Sequence, residues 1–206
     1  MKVTYEIENG KKVKVKTYVD GDVYKFDEKG NIIYHKYPYG YEQWHEYDAI
    51  GNCIHFKDNQ GAEEWHEYDS NGNEIYFKNS LGDEKWYEYD ANGRMIYEKS
   101  DGNKHWWEHD ANGNCIHTWN SDGHEWWCEY NSNGRKIHSW DTGGFKCWWE
   151  YDTNGHGIHF KNSNGYESWD EYDAKGRVIH HKESNGIEWW DEYNEIGNVI
   201  YRKRIR

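Results

Sequence analysis

Glutamate and histidine recur at fixed places along this chain, and together these two side chains can do acid–base or metal chemistry. One row is Glu46, Glu67, Glu88, Glu108, Glu129, Glu150, Glu171 and Glu192. A second row of rings is Tyr34, His55, Tyr76, Tyr97, His117, His138, His159, His180 and Tyr201. A histidine beside a carboxylate is a ready general acid–base pair. Such a pair can be drawn in many places here, and none differs from its neighbours in a way that marks a reacting centre. No catalytic residue is assigned, and the chain reads as a non-enzyme. Four cysteines, Cys53, Cys115, Cys128 and Cys147, could add metal ligands, with Cys128 and His138 expected to face each other in one hairpin. A tetrahedral site needs more ligands at fixed spacing, and successive histidines of the row would lie ~10 Å apart across two strands. No metal and no cofactor is expected. The chain also has no glycine-rich phosphate loop after a strand and no nucleophile elbow.

The spacing comes from a repeat. The Asp or Asn of a Trp-x-Glu-Tyr-Asp-x-x-Gly phrase falls at Asp27, Asp48, Asp69, Asp90, Asp110, Asn131, Asp152, Asp173 and Asn194, in steps of 21 residues with a single step of 20 after Asp90. A fixed period of this size marks a repeat architecture. Two glycines punctuate each unit, as Gly51 and Gly61 do, and six to eight residues rich in Trp, Tyr, Ile, Phe and His separate them. That is strand length and strand composition. Each unit is therefore a β-hairpin. The predicted fold is all-β, an antiparallel meander of about ten tandem hairpins in a strongly twisted or spiralling ribbon. Residues 1–206 read as one domain, with 1–22 as a capping hairpin opened by Asn9-Gly10, 23–201 as repeats and 202–206 as a basic edge.

The odd period carries a constraint. Side chains alternate faces with period 2, so an odd step would send the Trp row to opposite faces in successive units. Either the two turns differ in parity, or each unit carries a bulge. Asp-x-x-Gly suits a three-residue loop, because Ile50 and Ile196 stand third in it and resist the positive φ of a two-residue turn. The residue missing from the short unit lies between Gly93 and Gly102, where a shortened turn and a local bulge or kink are expected.

Composition narrows the function classes. The net charge is −13, which argues against direct nucleic-acid binding, and aromatics reach 18%, which argues against disorder. No apolar run spans a membrane and no signal peptide follows Met1, so a cytoplasmic, membrane-free protein with reduced thiols is expected. The basic clusters, Lys11, Lys12, Lys14 and Lys16 and then Arg202 to Arg206, suit the open edges of a sheet. The Glu row needs counter-charges, for which Lys57, Lys78, Lys99, Lys161 and Lys182, or the His row, are candidates.

The phrases Tyr89 to Arg94 (YDANGR) and Tyr172 to Arg177 (YDAKGR) resemble the YD repeats of Rhs proteins, over about residues 24–201. The resemblance implies a β-hairpin ribbon, which in large members spirals into a hollow shell around a toxin domain. Here Ile comes one residue later than the apolar position of that repeat. Trp106 to Gly113 (WWEHDANG) bears a weaker likeness to choline- and glucan-binding repeats of cell-wall proteins.

Departures from the consensus concentrate between Trp106 and Trp149. Trp106, Trp107, Trp119, Trp126, Trp127, Trp140, Trp148 and Trp149 gather there, with Glu88, Glu108, Glu129 and Glu150 along the acidic row. These are the candidate partner-binding residues, since Trp is enriched at interaction hot spots. The same rings would also fill a tighter bend, and both readings stay open. The expected function is binding of a basic protein, as an acidic inhibitor of a nucleic-acid-handling enzyme by phosphate mimicry. The alternative is a glycan- or cell-wall-binding module using the Trp faces.

Overall fold

Two glycine turns and one bulge per repeat build this chain, which a computed structural model describes over residues 1–205. It is all-β, with twenty strands in an antiparallel hairpin meander and no helix among the described residues. It packs as two units, residues 1–105 and 106–206. The first holds β1 (Lys2–Glu8), β2 (Lys11–Thr17), β3 (Val23–Phe26), β4 (Ile32–Lys36), β5 (Glu42–Tyr47), β6 (Cys53–Asp58), β7 (Glu63–Tyr68), β8 (Glu74–Asn79), β9 (Glu84–Tyr89) and β10 (Met95–Ser100). Strand β11 (Asn103–His109) spans the division. The second unit continues with β12 (Cys115–Asn120), β13 (Glu125–Tyr130), β14 (Lys136–Asp141), β15 (Lys146–Tyr151), β16 (Gly157–Asn162), β17 (Glu167–Tyr172), β18 (Val178–Glu183), β19 (Glu188–Tyr193) and β20 (Val199–Ile205). Successive strands pair from β1 to β10 and again from β12 to β20.

The aspartate of the repeat is a turn organiser. Asp48 Oδ1 accepts the N–H groups of Ile50, Gly51 and Asn52 at 2.9, 2.7 and 2.9 Å, and Oδ2 accepts Asn52 Nδ2 at 2.9 Å. The Asp48 N–H closes the loop on the Asn52 carbonyl at 3.0 Å, with Gly51 at φ 103°. That positive φ is open to glycine and costly for other residues. The second turn closes the same way, Asp58 N–H to the Ala62 carbonyl at 3.0 Å, again around three residues ending in glycine.

Both loops are thus odd, and parity is restored by a bulge. Glu46 faces His55, but Tyr47 faces Cys53, which leaves Ile54 as the extra residue. The same shift falls at Ile33, Ile75, Ile96, Ile137, Ile158, Ile179 and Ile200. Within each unit the bulge, and not a pair of turns of opposite parity, keeps the Trp of successive hairpins on one face. The short repeat is absorbed differently from the rest. Asp101 and Gly102, at φ 50° and 85°, form a two-residue turn of the same kind as Asn9-Gly10, at 49° and 78°. The register shift in its hairpin, at Ile96, is the one its neighbours share.

In five units the repeated tyrosine ties its hairpin to the one before. Tyr47 Oη donates to the Ile32 carbonyl at 3.0 Å, and Tyr130, Tyr151, Tyr172 and Tyr193 donate to Cys115, Lys136, Gly157 and Val178 at 2.8–2.9 Å. Ile32, Lys136, Gly157 and Val178 directly precede a bulge, where the ladder is disrupted and a carbonyl can take another donor. Little of the chain is buried in the usual sense. Val13, Val15 and Cys147 are the buried apolar residues among those described, so rings stacked along the sheet faces supply most of the packing. The lysines Lys11, Lys12, Lys14 and Lys16 lie on β2, one strand in from β1, so they do not line the outer edge as the sequence suggested.

Candidate functional site

Register assigns every repeat position to a face. Trp44, Glu46, His55, Lys57, Glu63 and Trp65 share one face, and Tyr47, His45 and Phe56 share the other. The first face is nearly constant from unit to unit, whereas the second changes its residues. Cys128 faces Ser139, and Glu129 faces His138. The expected Cys128–His138 pairing is therefore wrong, because the bulge at Ile137 places the two on opposite faces. No group of ligands able to hold a metal occurs among the described residues.

On the constant face four of the row's five histidines are each held between two carboxylates. His55 lies 3.4 Å from Glu46 through Nδ1 and 2.8 Å from Glu63 through Nε2. His117 does the same with Glu108 and Glu125 at 3.5 and 3.0 Å, His159 with Glu150 and Glu167 at 3.3 Å each, and His180 with Glu171 and Glu188 at 3.2 and 3.0 Å. So the histidines are the counter-groups of the Glu row. The second set of acids, Glu63, Glu125, Glu167 and Glu188, was missed in the sequence, although each stands eight residues after its histidine. His138 breaks the rule. It keeps Glu129 at 3.3 Å, but its eighth residue is Lys146, and its buried Nε2 has no hydrogen-bond partner.

The Glu carboxylates themselves face solvent. Glu108, Glu129 and Glu150 are 57–63% exposed, above histidines that are 17–22% exposed. Glu88, in the first unit, faces Tyr97 on the same kind of row. The lysines serve another part of the face. Lys57, Lys99, Lys161 and Lys203 place their ammonium groups 4.0–5.8 Å from the rings of Trp44, Trp86, Trp148 and Trp190. Lys36 and Lys78 pair with Glu42 and Glu84 at 2.9 and 2.8 Å.

Trp119 and Trp140 occupy two of those lysine positions. Trp106, Trp119, His117, Trp127, Trp140, His138 and Trp148 form a ladder, with neighbouring centroids 4.6–5.8 Å apart and planes within 33°. Five of the eight candidate tryptophans therefore stand together. Trp107, Trp126 and Trp149 lie on the opposite face by strand alternation. Trp149 packs on Phe160 at 5.5 Å, and Trp126 is 44% exposed beside His124.

The variable face carries the other perturbed groups. Burial, then Cys128 and Cys115 nearby, pushes the Tyr130 phenol up to about 12. Burial also raises the thiols of Cys53, Cys115 and Cys147, which keeps them protonated and weakly nucleophilic. His181 bridges Asp170 at 2.7 Å and Glu183 at 3.2 Å and stacks on Trp189. Beyond it, Arg202 clamps the buried carboxylate of Asp191.

No protein-family model and no characterised protein matches the chain by sequence. By structure it is similar to the TcdB2-TccC3-TEV crystal structure, with a TM-score of 0.67 at 16% identity over 92% of this chain. It is also similar to the TcdB2-TccC3-Cdc42 crystal structure, with a TM-score of 0.65 at 12% identity over 98% of this chain. The chain spans 12% and 14% of the length of those chains. At this identity the likeness carries the fold alone. These Tc toxin chains are Rhs/YD-repeat proteins, and this chain has the β-hairpin repeat fold of that class, as the YD phrases implied. No helix among the described residues is long and apolar enough to cross a membrane.

Proposed function

We propose that this chain is a non-enzymatic, protein-binding repeat module whose acidic face engages a basic protein in the cytoplasm. In the finer form of the reading, it antagonises a nucleic-acid-handling partner by offering carboxylates where that partner takes phosphates. The observation that carries this is the rail of Glu108, Glu129 and Glu150. Their carboxylates stand out in solvent, two strands or ~10 Å apart, over histidines that hold one end of each. Along this stretch Trp119 and Trp140 replace the lysines that partly neutralise the face elsewhere. Complementary charge of this kind speeds association and weakens with salt.

The test is capture from a cell extract at low and high salt, using the native chain and a Glu108→Gln/Glu129→Gln/Glu150→Gln variant. The reading expects a basic protein retained by the native chain at low salt, and released by salt or by the triple substitution. Retention of no basic protein at low salt overturns it. A glycan-binding alternative draws on Trp126, whose ring is exposed on the variable face, whereas the ladder rings cover one another's faces. Tryptophan fluorescence unchanged across sugars and choline would remove that alternative.

A further inference from the structure

The first three strands carry a feature of opposite sign to the rest of the chain. Lys12, Lys14 and Lys16 alternate with Val13 and Val15 on β2. The valines are 3% and 5% exposed, so burying them fixes the lysines on the opposite face. There the rows run Tyr5–Lys14–Phe26 and Val3–Lys16–Tyr24 across β1, β2 and β3. Lys12 and Lys16 both lean toward the Tyr5–Lys14–Phe26 row. Lys12 Nζ lies 4.5 Å from the Tyr5 ring centre and Lys16 Nζ 4.9 Å from that of Phe26. With Lys14 and Lys29 they line a cavity of about 550 Å³.

The nearby acids are committed elsewhere. Glu6 and Glu8 reach Lys25 on the other face. Asp27 lines the cavity, but its carboxylate is turned into its own loop, accepting Lys29 N–H at 2.9 Å and Asn31 N–H at 2.8 Å. Glu28, also on the wall, meets the Lys12 backbone N–H at 3.4 Å. Lys12, Lys14 and Lys16 thus share one cavity with Lys29, whose own ammonium donates to the Ala49 carbonyl, and the acids of that wall accept backbone N–H groups. Edge protection does not account for them, since β1 lies outside β2.

We propose that this cavity is a binding site for a compact multivalent anion of the oligophosphate class. Successive lysines on one face of a strand stand ~7 Å apart, a separation that a chain of linked phosphates can bridge and a single monovalent anion cannot. Seating Lys12 and Lys16 on Tyr5 and Phe26 lowers the ordering cost of binding. At physiological salt the distant acids act weakly, because fields between exposed charges decay over ~8 Å.

Calorimetric titration of the full chain with inorganic triphosphate at physiological salt tests this. The expected result is one site per chain, at least tenfold weaker in Lys14→Glu and unchanged in Lys203→Glu. Phe26→Leu should weaken it by a smaller factor, by unseating Lys16. On the native protein, triphosphate should slow acetylation of Lys12, Lys14 and Lys16 but not of Lys203, a readout independent of how any variant folds. Absence of binding heat, equal binding of chloride or acetate, or protection spread over all lysines overturns the proposal. A nucleoside triphosphate that binds no tighter than inorganic triphosphate supports an oligophosphate site. A single-stranded oligonucleotide that binds tighter than triphosphate overturns it in favour of a nucleic-acid surface.

Discussion

The phenol of Tyr172 donates to the carbonyl of Gly157 at 2.9 Å, fifteen residues back and directly before the bulge at Ile158. The bond joins two features of the repeat, the recurring Tyr-Asp phrase and the extra residue in the ladder. Removing the hydroxyl leaves a part-buried carbonyl short of a donor. Tyr172→Phe should therefore destabilise the second unit by about 1 kcal/mol. Tyr130→Phe, two hairpins away, should cost about the same, and the pair should add, because distant sites in a repeat array act nearly independently. Chemical denaturation followed by tryptophan fluorescence measures both, and a double variant as stable as the native chain would remove the tie from the account.

Lys146 is the one residue that denies a histidine of the row its second carboxylate, leaving His138 Nε2 buried and unbonded. Lys146→Glu restores the pattern seen at His117 and Glu125. Despite adding negative charge to an acidic chain, it should stabilise the fold by about 1 kcal/mol. A lowered melting temperature would show that the acids of this row are not structural partners of the histidines.

The turn aspartates make the fold acid-sensitive. The side chain of Arg94 holds Asp90 at about 2, that of His156 holds Asp152 at about 2, and that of Arg177 holds Asp173 at about 2. A carboxylate lowered on folding contributes stability above its unfolded pKa of ~4, and this is lost as pH falls toward the folded value. Unfolding free energy should thus drop between about pH 4 and pH 2. Asp173→Asn keeps the turn bonds, as Asn131 and Asn194 do in the native chain, but loses the titration. Its pH dependence in that window should be shallower, while its stability near neutrality changes little.

His181 should act in the other direction. Burial pulls its pKa down, but bonds to Asp170 and Glu183 together outweigh burial and leave it raised above 6.5. A base raised on folding contributes stability that is complete below its unfolded pKa and is lost as pH rises through the folded one. The second unit should lose stability from about pH 6.5 upward, and His181→Gln should flatten that slope. Equal slopes in native and variant chains would mean that Asp170 and Glu183 do not hold the imidazolium.

Reading the residues alone reached the hairpin meander, the Trp face, the three-residue Asp-x-x-Gly loop and the shortened turn before Gly102. All are set by local chemistry: a strand's period of two, an aspartate that bonds its own turn, and a glycine that takes positive φ. Reading alone left the parity problem with two solutions. Which one holds depends on where the ladder slips, and cross-strand register decided for a bulge at the isoleucine, as at Ile54 and Ile75.

The candidate site was legible in composition but not in arrangement. Eight tryptophans between Trp106 and Trp149 look like one patch in the sequence, yet strand alternation and the bulges split them, five into a ladder and three onto the other face. Likewise Cys128 and His138 seemed to face each other until the extra residue at Ile137 moved the register by one. What the amino-acid sequence determined by itself was the repeat, its turns and its rows, because those follow from interactions within a few residues. What only the tertiary structure decided was which rows of neighbouring strands meet on one face and which acid meets which base. Those depend on pairing between strands, where a slip of one residue reverses every side chain.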